Sequence, residues 1–361
     1  MKITLCKKCV LPNTRPNLSF DNNGVCSACI SHQSLKKVNW KNKKKKFEIF
    51  IKKIKKKSKG YDILIPVSGG KDSTWQVYTS LKYKLNPLTF SYKPILRTEI
   101  GRQNLENMLK LGVDHIDFSI NRKTEIHFLK KALVKFGAVG MPMHMAMWSI
   151  SNHLCNKFKI KYILWGENPA VEYSGTKENQ KLKNLDENWI KKFGINFNKK
   201  ISDLYDFKIN KKNTIPFQRE NDNYKSFFLG EYFNWDPKKI YKVSSKVGFR
   251  QNIKPKTGYY NYADIDDDLI SIHHFLKLYK FGFTRTFDNL SLEIRNRRMS
   301  RADALKILKK DIYKTPYADI KKFCKLVNIT EKKFFKIFEK FRNKKIWKKN
   351  KNKWTLNIQL K

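Results

Sequence analysis

Asp62-Ile63-Leu64-Ile65-Pro66-Val67-Ser68-Gly69-Gly70-Lys71-Asp72-Ser73 is the stretch that decides the fold. After Asp62 it is an unbroken apolar run, the pattern of a strand buried on both faces of a parallel sheet. Two glycines follow, and Ser73–Lys84 then reads as a helix. A strand that turns through glycines into a helix aims free N–H groups, at the positive end of the helix dipole, toward an anion. Gly69 and Gly70 allow the tight turn and the close approach. Ser68 and Ser73 offer hydroxyl hydrogen bonds, Lys71 a positive charge for a leaving phosphate, and Asp72 a carboxylate for Mg²⁺.

The same alternation runs outward from this stretch. Further strands are expected at Pro87–Tyr92, Val113–Ile120 and Ile160–Trp165, and helices at Thr98–Leu111, Thr124–Phe136 and Met145–Phe158. Strands alternating with helices define an α/β class with a parallel sheet flanked by helices. Residues 61–230 form this domain, with a polar, Lys- and Asn-rich insertion at about 175–225. Residues 41–60 precede it as a basic linker helix, with Phe47, Phe50, Ile51 and Ile54 at helical spacing. Residues 231–345 form a C-terminal region dense in His, Arg, Asp and Tyr, then helical. There Ser300 and Asp303 make a capping pair. Phe334, Phe335, Ile337, Phe338 and Phe341 form a core stripe. Residues 346–361 are expected to be a loosely held tail.

Residues 1–40 carry Cys6-x-x-Cys9 and Cys26-x-x-Cys29, with 16 residues between the pairs. This spacing fits a four-thiolate Zn²⁺ site, with a redox pair or iron–sulfur cluster as the alternative. Four sulfurs fill a tetrahedral shell and leave no position for substrate, so the zinc would be structural. Cys155 and Cys324 are isolated in apolar surroundings and read as buried thiols. Such usage suits a reducing compartment. No apolar stretch reaches the roughly 18 residues of a membrane span, and Met1–Leu11 lacks an apolar signal core. The cytoplasm is the expected location.

The net charge is +46, from 77 Lys and Arg against 31 Asp and Glu. Neutralising nucleic-acid phosphates would use such a charge. Lys and Asn, however, are abundant throughout and Lys stands for Arg nearly everywhere, the mark of AT-rich coding with solvated lysines. A nucleotide substrate also suits a basic surface, and a nucleic-acid partner is not expected.

Two further regions carry candidate site residues. Gly166-Glu167-Asn168-Pro169 and Glu172-Tyr173 follow a strand at its carboxyl end, where ligands bind in open α/β sheets. Glu167 and Glu172 can hold Mg²⁺ or position an acceptor. The other is Asn261-Tyr262-Ala263-Asp264-Ile265-Asp266, then His273-His274-x-x-Lys277, then Arg295-x-Arg297-Arg298. His274 and Lys277 share a helix face, and arginines can clamp phosphates in bidentate fashion. His144, in Met-Pro-Met-His, is a weaker candidate.

Ser-Gly-Gly-x-Asp-Ser resembles the PP-loop of the ATP pyrophosphatases and lacks the spacing of a Walker A loop. Several pieces accompany it: Cys6 to Pro16, Phe20-Asp21-x-x-Gly24-Val25-Cys26, Ile100-Gly101-Arg102-Gln103-Asn104-Leu105, Leu111-Gly112-Val113-Asp114 and the two candidate regions through Arg301. Together they resemble the N-acetyl sugar amidotransferases of bacterial surface-sugar biosynthesis, of the O-antigen and pseudaminic or legionaminic acid type. The resemblance covers nearly the whole chain and is weakest at 176–225.

It implies that ATP activates the carbonyl oxygen of a sugar N-acetyl group as an imidoyl adenylate. Ammonia then displaces AMP and leaves an acetamidino group. Lys71, Asp72 and Glu167 would be catalytic. His144, Asn168, Glu172, His274, Lys277 and Arg295 would contact a nucleotide-activated sugar. Cys155 lacks the surroundings of a glutaminase nucleophile and no matched triad is present. A separate glutaminase of the histidine-biosynthesis kind, with a cyclase-like companion, is therefore implied. The alternative is a tRNA-modifying PP-loop enzyme of the thiolation or lysidine-synthetase type, which the CxxC pairs and the charge also suit. Thiolation needs a cysteine beside the ATP loop, whereas the paired cysteines here sit in one N-terminal module. A zinc-ribbon nucleic-acid binder with a decayed ATP site is opposed by the intact loop.

Overall fold

A computed structural model describes residues 1–166, 212, 214, 224–351 and 353–360. Its N-terminal half runs α1 (Ser27–Leu35), α2 (Trp40–Lys57), β1 (Ile63–Pro66), α3 (Lys71–Lys82), β2 (Pro87–Tyr92), α4 (Glu99–Leu109), β3 (Asp114–Phe118), α5 (Arg122–Phe136), α6 (Met141–Phe158) and β4 (Tyr162–Trp165). After the insertion come β5 (Lys225–Phe228), α7 (Pro237–Lys246), α8 (Leu269–Phe281), α9 (Arg285–Arg295), α10 (Arg301–Asp311), α11 (Tyr317–Val327), α12 (Glu331–Glu339), β6 (Trp347–Asn350) and β7 (Lys353–Leu356).

β1 to β5 form one parallel sheet in the order β3-β2-β1-β4-β5. The apolar run of β1 is explained by its two covered faces. Ile63 and Ile65 pack with Phe47, Ile51 and Ile54 of α2 and with Trp75 and Val77 of α3. Leu64, with Leu88 and Phe90 of β2, packs against Phe128 of α5 and Met141 and Ile150 of α6. The chain runs from β1 outward through β2 to β3, then returns to the other flank of β1 as β4. The carboxyl end of β1 is thus a switch point, where an open sheet leaves a crevice for ligands.

Three expectations change. β5 is a fifth strand not foreseen, at the boundary of the polar insertion, where Ser226, Phe227 and Phe228 are buried. α6 begins one turn early, at Met141, because Pro142 suits a helix's first turn. The third change is the tail, which is not loosely held. β6 and β7 make an antiparallel hairpin with Ile346, Trp347 and Leu356 buried. The Arg342 guanidinium lies 4.2 Å from the Tyr279 ring centre and 4.3 Å from that of Trp347, a cation–π contact that anchors the hairpin. Ile3 runs beside Ile358 and its N–H donates to the Asn357 carbonyl at 2.8 Å. The stripe on α12 is core: Phe334, Ile337 and Phe338 are buried, and Phe335 and Phe341 pack against them. Ser300 caps α10, its Oγ accepting from the Asp303 N–H at 3.0 Å. Cys155 and Cys324 are buried and form no disulfide among the described residues. Among the described residues no helix is long and apolar enough to cross a membrane.

Candidate functional site

The loop leaves β1 and enters α3 with Gly70 as its N-cap. Gly69 has φ +85°, and a Cβ there would stand 2.7 Å from the backbone N of Leu105 on α4. Only glycine lets the loop press so closely on that helix. The two serines brace it: the Ser68 N–H donates to Ser73 Oγ at 3.1 Å and the Gly70 N–H to Ser68 Oγ at 3.3 Å. Lys71 and Asp72, expected to act separately, are paired with each other. Asp72 Oδ1 also accepts from Trp235 Nε1 at 3.0 Å, and the Lys71 carbonyl accepts from Ser244 Oγ at 2.6 Å. Trp235 and α7 therefore hold the first turn of α3 from outside.

Gly166 ends β4 beside this turn. A Cβ on it would lie 2.9 Å from Gln76 Nε2 and 3.5 Å from Asp72 Cβ. Glu167, Asn168 and Glu172, together with most of the 175–225 insertion, lie outside the described residues.

The segment 261–268 forms the opposite wall. Thr98 N–H donates to the Asp266 carbonyl and Asp268 N–H to the Leu96 carbonyl, both at 3.1 Å. Gly101 has no room for a side chain, since a Cβ would stand 2.7 Å from Asp266 Cα. Asn104 completes the seam by exchanging hydrogen bonds of 2.9 and 2.8 Å with the Arg250 backbone. Burial pushes the Asp266 carboxyl up, opposed in part by Ser68 of the loop.

Behind this wall the charged residues form one network. Asp264, in the left-handed region at φ +56°, accepts from Thr257 Oγ1 at 2.5 Å and from Arg285 Nε at 3.2 Å, and faces His274 Nε2 at 3.4 Å. Against its burial, Arg285 and His274 hold the Asp264 carboxyl well below the usual range. Asp288 accepts from Arg15 Nε at 2.9 Å. Burial lowers Lys277 to about 8, and lowers His144 and His274 to about 4 and His273 further below its ordinary value. The charge of Lys277 contributes to the lowering of all three histidines, so the four side chains are one cluster. His144 Nδ1 faces the Gly140 carbonyl at 2.7 Å, which assigns its proton to that nitrogen. His144, His274 and Lys277 are thus brought together.

The arginines after α9 are not. Arg295 points into the cysteine module, donating to the Ala28 carbonyl at 3.2 Å, and Arg301 donates to the carbonyls of Cys6 and Cys9 at 3.3 and 3.2 Å. Arg298 forks onto Glu293 at 2.7 and 2.6 Å and reaches Asp236 at 2.8 Å. Its bidentate partner is a carboxylate of the chain itself. Beside it, Tyr262 stacks between Tyr241 and Tyr260 with ring centres 4.5 and 4.8 Å away. The Tyr260 hydroxyl donates to Glu293 at 2.6 Å. Sequence reasoning passed over Trp235 and this aromatic stack. The density of aromatic residues between 232 and 262 was the available signal.

Cys6, Cys9, Cys26 and Cys29 are all buried, with their sulfurs within 4.8 Å of one another. Cys9 and Cys26 stand 3.7 Å apart and Cys6 and Cys29 4.0 Å, close to the ~3.8 Å between thiolates on one tetrahedral zinc. N–H groups of Lys8, Cys9 and Cys26 point at Cys6 Sγ from 3.4, 3.4 and 3.2 Å, as thiolate ligands require. The donor set fits zinc.

The parallel sheet, the glycine loop at its switch point, the N-terminal cysteine cluster and the C-terminal helices define a PP-loop α/β protein. Residues 256–361 match the family "LPS biosynthesis protein WbpG-like, C-terminal domain". Over those residues the chain is similar to that family. No curated protein matches the chain in sequence. Among solved structures it is similar to an NMN synthetase from Francisella tularensis, with 12% identity, a TM-score of 0.36, and coverage of 73% of this chain and 97% of that one.

Proposed function

We propose that the chain is an ATP-dependent amidotransferase that converts the N-acetyl group of a nucleotide-activated sugar into an acetamidino group. The observation that carries this reading is a shared wall: α4 meets Gly69 of the loop at Leu105, and at Gly101 it meets Asp266, which lies inside the WbpG-like domain. An anion-binding loop and a lipopolysaccharide-biosynthesis domain thereby meet at one crevice. The N–H groups at the start of α3 would receive the phosphates of ATP, with Ser68 and Ser73 as further donors. Asp72, with Glu167, would hold Mg²⁺, and Lys71 would follow the charge of departing pyrophosphate once Asp72 turns to the metal. AMP is a good leaving group where an amide oxygen is not, which is the reason for the adenylation. His144, His274 and Lys277 are the side chains proposed to contact the sugar. Zinc, held by the four cysteines, would be structural. Ammonia would come from a separate glutaminase, with a cyclase-like companion.

The test is mass spectrometry of the full chain with ATP, Mg²⁺, ammonium and a panel of UDP- and CMP-linked N-acetyl sugars. The expected product is lighter by the difference between an oxygen and an NH group, with AMP and pyrophosphate formed. The +46 charge favours one rival, a tRNA-modifying enzyme. AMP formation that tRNA stimulates, without any sugar product, would establish that rival instead.

A further inference from the structure

α6 runs back along the sheet into β4, so its first turn lies at the carboxyl end of the strands, where the loop sits. His144 stands in that turn. Facing it from α8 is His273, with ring centres 6.4 Å apart, and Lys277 follows His273 one turn along the same face. The charge of Lys277 reaches His144. Both side chains are half-buried. Lys277 has no hydrogen bond or ion pair among the described residues. A half-buried ammonium without a partner is costly and asks for a counter-charge. His144 makes a second demand. Its Nδ1 keeps the proton, toward the Gly140 carbonyl, which leaves Nε2 as an acceptor. Together the two residues call for an anionic oxygen with a hydroxyl or N–H beside it.

The neighbouring carboxylates that could supply that charge are already taken. Asp264 accepts from Arg285 Nε at 3.2 Å. Asp288 accepts from Arg15 Nε at 2.9 Å, and Arg285 Nη1 stands 3.8 Å from its other oxygen. Of the charges around Lys277, that of Asp288 acts on it most strongly. Arg15 arrives from the cysteine module. Thr14 Oγ1 donates to the Phe281 carbonyl at the end of α8 at 2.5 Å, and the Arg15 guanidinium lies 5.5 Å from the Phe283 ring centre.

We infer that Lys277 binds an oxyanion of the sugar substrate, a carboxylate or a phosphate, while His144 accepts from the hydroxyl or amide next to it. Arg15 is a positioning residue: by holding Asp288 it keeps that carboxylate from closing on Lys277 and quenching the site. The inference rests on the sugar reading proposed above and narrows it to acidic N-acetyl sugars, either sugar acids or sugar phosphates. It also gives the cysteine module a second task, since the module carries Arg15 to the substrate.

The test is isothermal titration of the full-length chain with N-acetylneuraminate, N-acetylglucosamine 1-phosphate and uncharged N-acetylglucosamine. One of the two acids is expected to bind, and which one does identifies the source of the anion. The neutral sugar should bind roughly tenfold more weakly or less, for want of a charge-assisted hydrogen bond. Lys277→Met should weaken the acid by about the same factor. It should also hold or raise Tm, because it removes an unpaired, half-buried charge. A structural lysine would do the reverse. Arg15→Gln frees Asp288 to pair with Lys277 and should weaken the acid too, whereas Arg15→Gln combined with Asp288→Asn should restore it. Unchanged binding in Lys277→Met, or a wild type that takes neither acid, would overturn the inference. A loss in Arg15→Gln that the double variant does not recover would overturn the role given to Arg15. If the acid binds through Lys277 but ATP and ammonium bring no amidination, the reaction proposed above fails and the site stands. If a sugar is amidinated equally well by wild type and Lys277→Met, the reaction stands and the site fails.

Discussion

Trp235 Nε1 donates to Asp72 Oδ1 at 3.0 Å, across 163 residues of chain. That bond joins the loop's carboxylate to the segment between β5 and α7. It fixes the orientation of the Asp72 carboxylate. Trp235→Phe keeps the ring and removes the bond, which to a charged acceptor is worth about 1.5–3 kcal/mol. The expected outcome is a roughly tenfold loss in kcat/KM for ATP with little change in Tm. Asp72→Ala should abolish pyrophosphate release while the far-UV spectrum stays native. Normal turnover in Asp72→Ala would remove the loop from the chemistry.

Two neighbouring glycines should respond very differently to alanine. Gly69 has φ +85° and backbone 2.7 Å from any added Cβ. Gly70 has φ −70° and would meet only Ser68 Oγ at 3.2 Å. Gly69→Ala is expected to cost about 1–3 kcal/mol of stability and to lose ATP binding. Gly70→Ala should stay within about 1 kcal/mol of wild type. Chemical denaturation and isothermal titration with ATP check both.

The cysteine cluster should behave as a structural site. Cys26→Ser is expected to lower bound metal and to reduce stability by several kcal/mol, since metal binding to such sites is coupled to folding. Activity per folded molecule should change little. Elemental analysis beside thermal melts checks this, and a metal-free, fully stable variant would contradict it.

Glu125 gives a pH signature. Burial raises it from 4.5 to about 7, opposed by the hydrogen bond from Tyr92. Between those values the folded chain holds a proton that the unfolded chain has lost, so this group's contribution to stability falls as pH rises through the window. Glu125→Gln keeps an acceptor for Tyr92 and has no charge to bury. The variant should match wild type near pH 4.5 and exceed it above pH 7, by on the order of 3 kcal/mol. Melts across that range check the sign.

Much of this architecture is local and therefore legible in the chain. β1, the loop and α3 follow from a buried apolar run meeting two glycines, and the cysteine spacing predicts a cluster that the fold gathers. What escaped was set by partners distant in sequence. Lys225-Ser226-Phe227-Phe228 has too few apolar residues to stand out from the insertion beside it, and becomes a strand by pairing with β4. Arg298 reads as a phosphate clamp because a guanidinium looks the same whether its partner is a ligand or Glu293. The terminal hairpin looks like a lysine-rich tail until Arg342 is seen lying against Tyr279 and Trp347.

The seat of the cysteine module is built from the far end of the chain, from Arg295, Arg301 and the hairpin that borders Ile3. The residues that hold it stand 267 and 295 positions further along the chain than the carbonyls they grip. Close spacing gathers the four sulfurs, but the module's seat depends on helices folded from distant sequence, so a lesion in α9 or α10 would loosen the cysteine cluster without touching a cysteine.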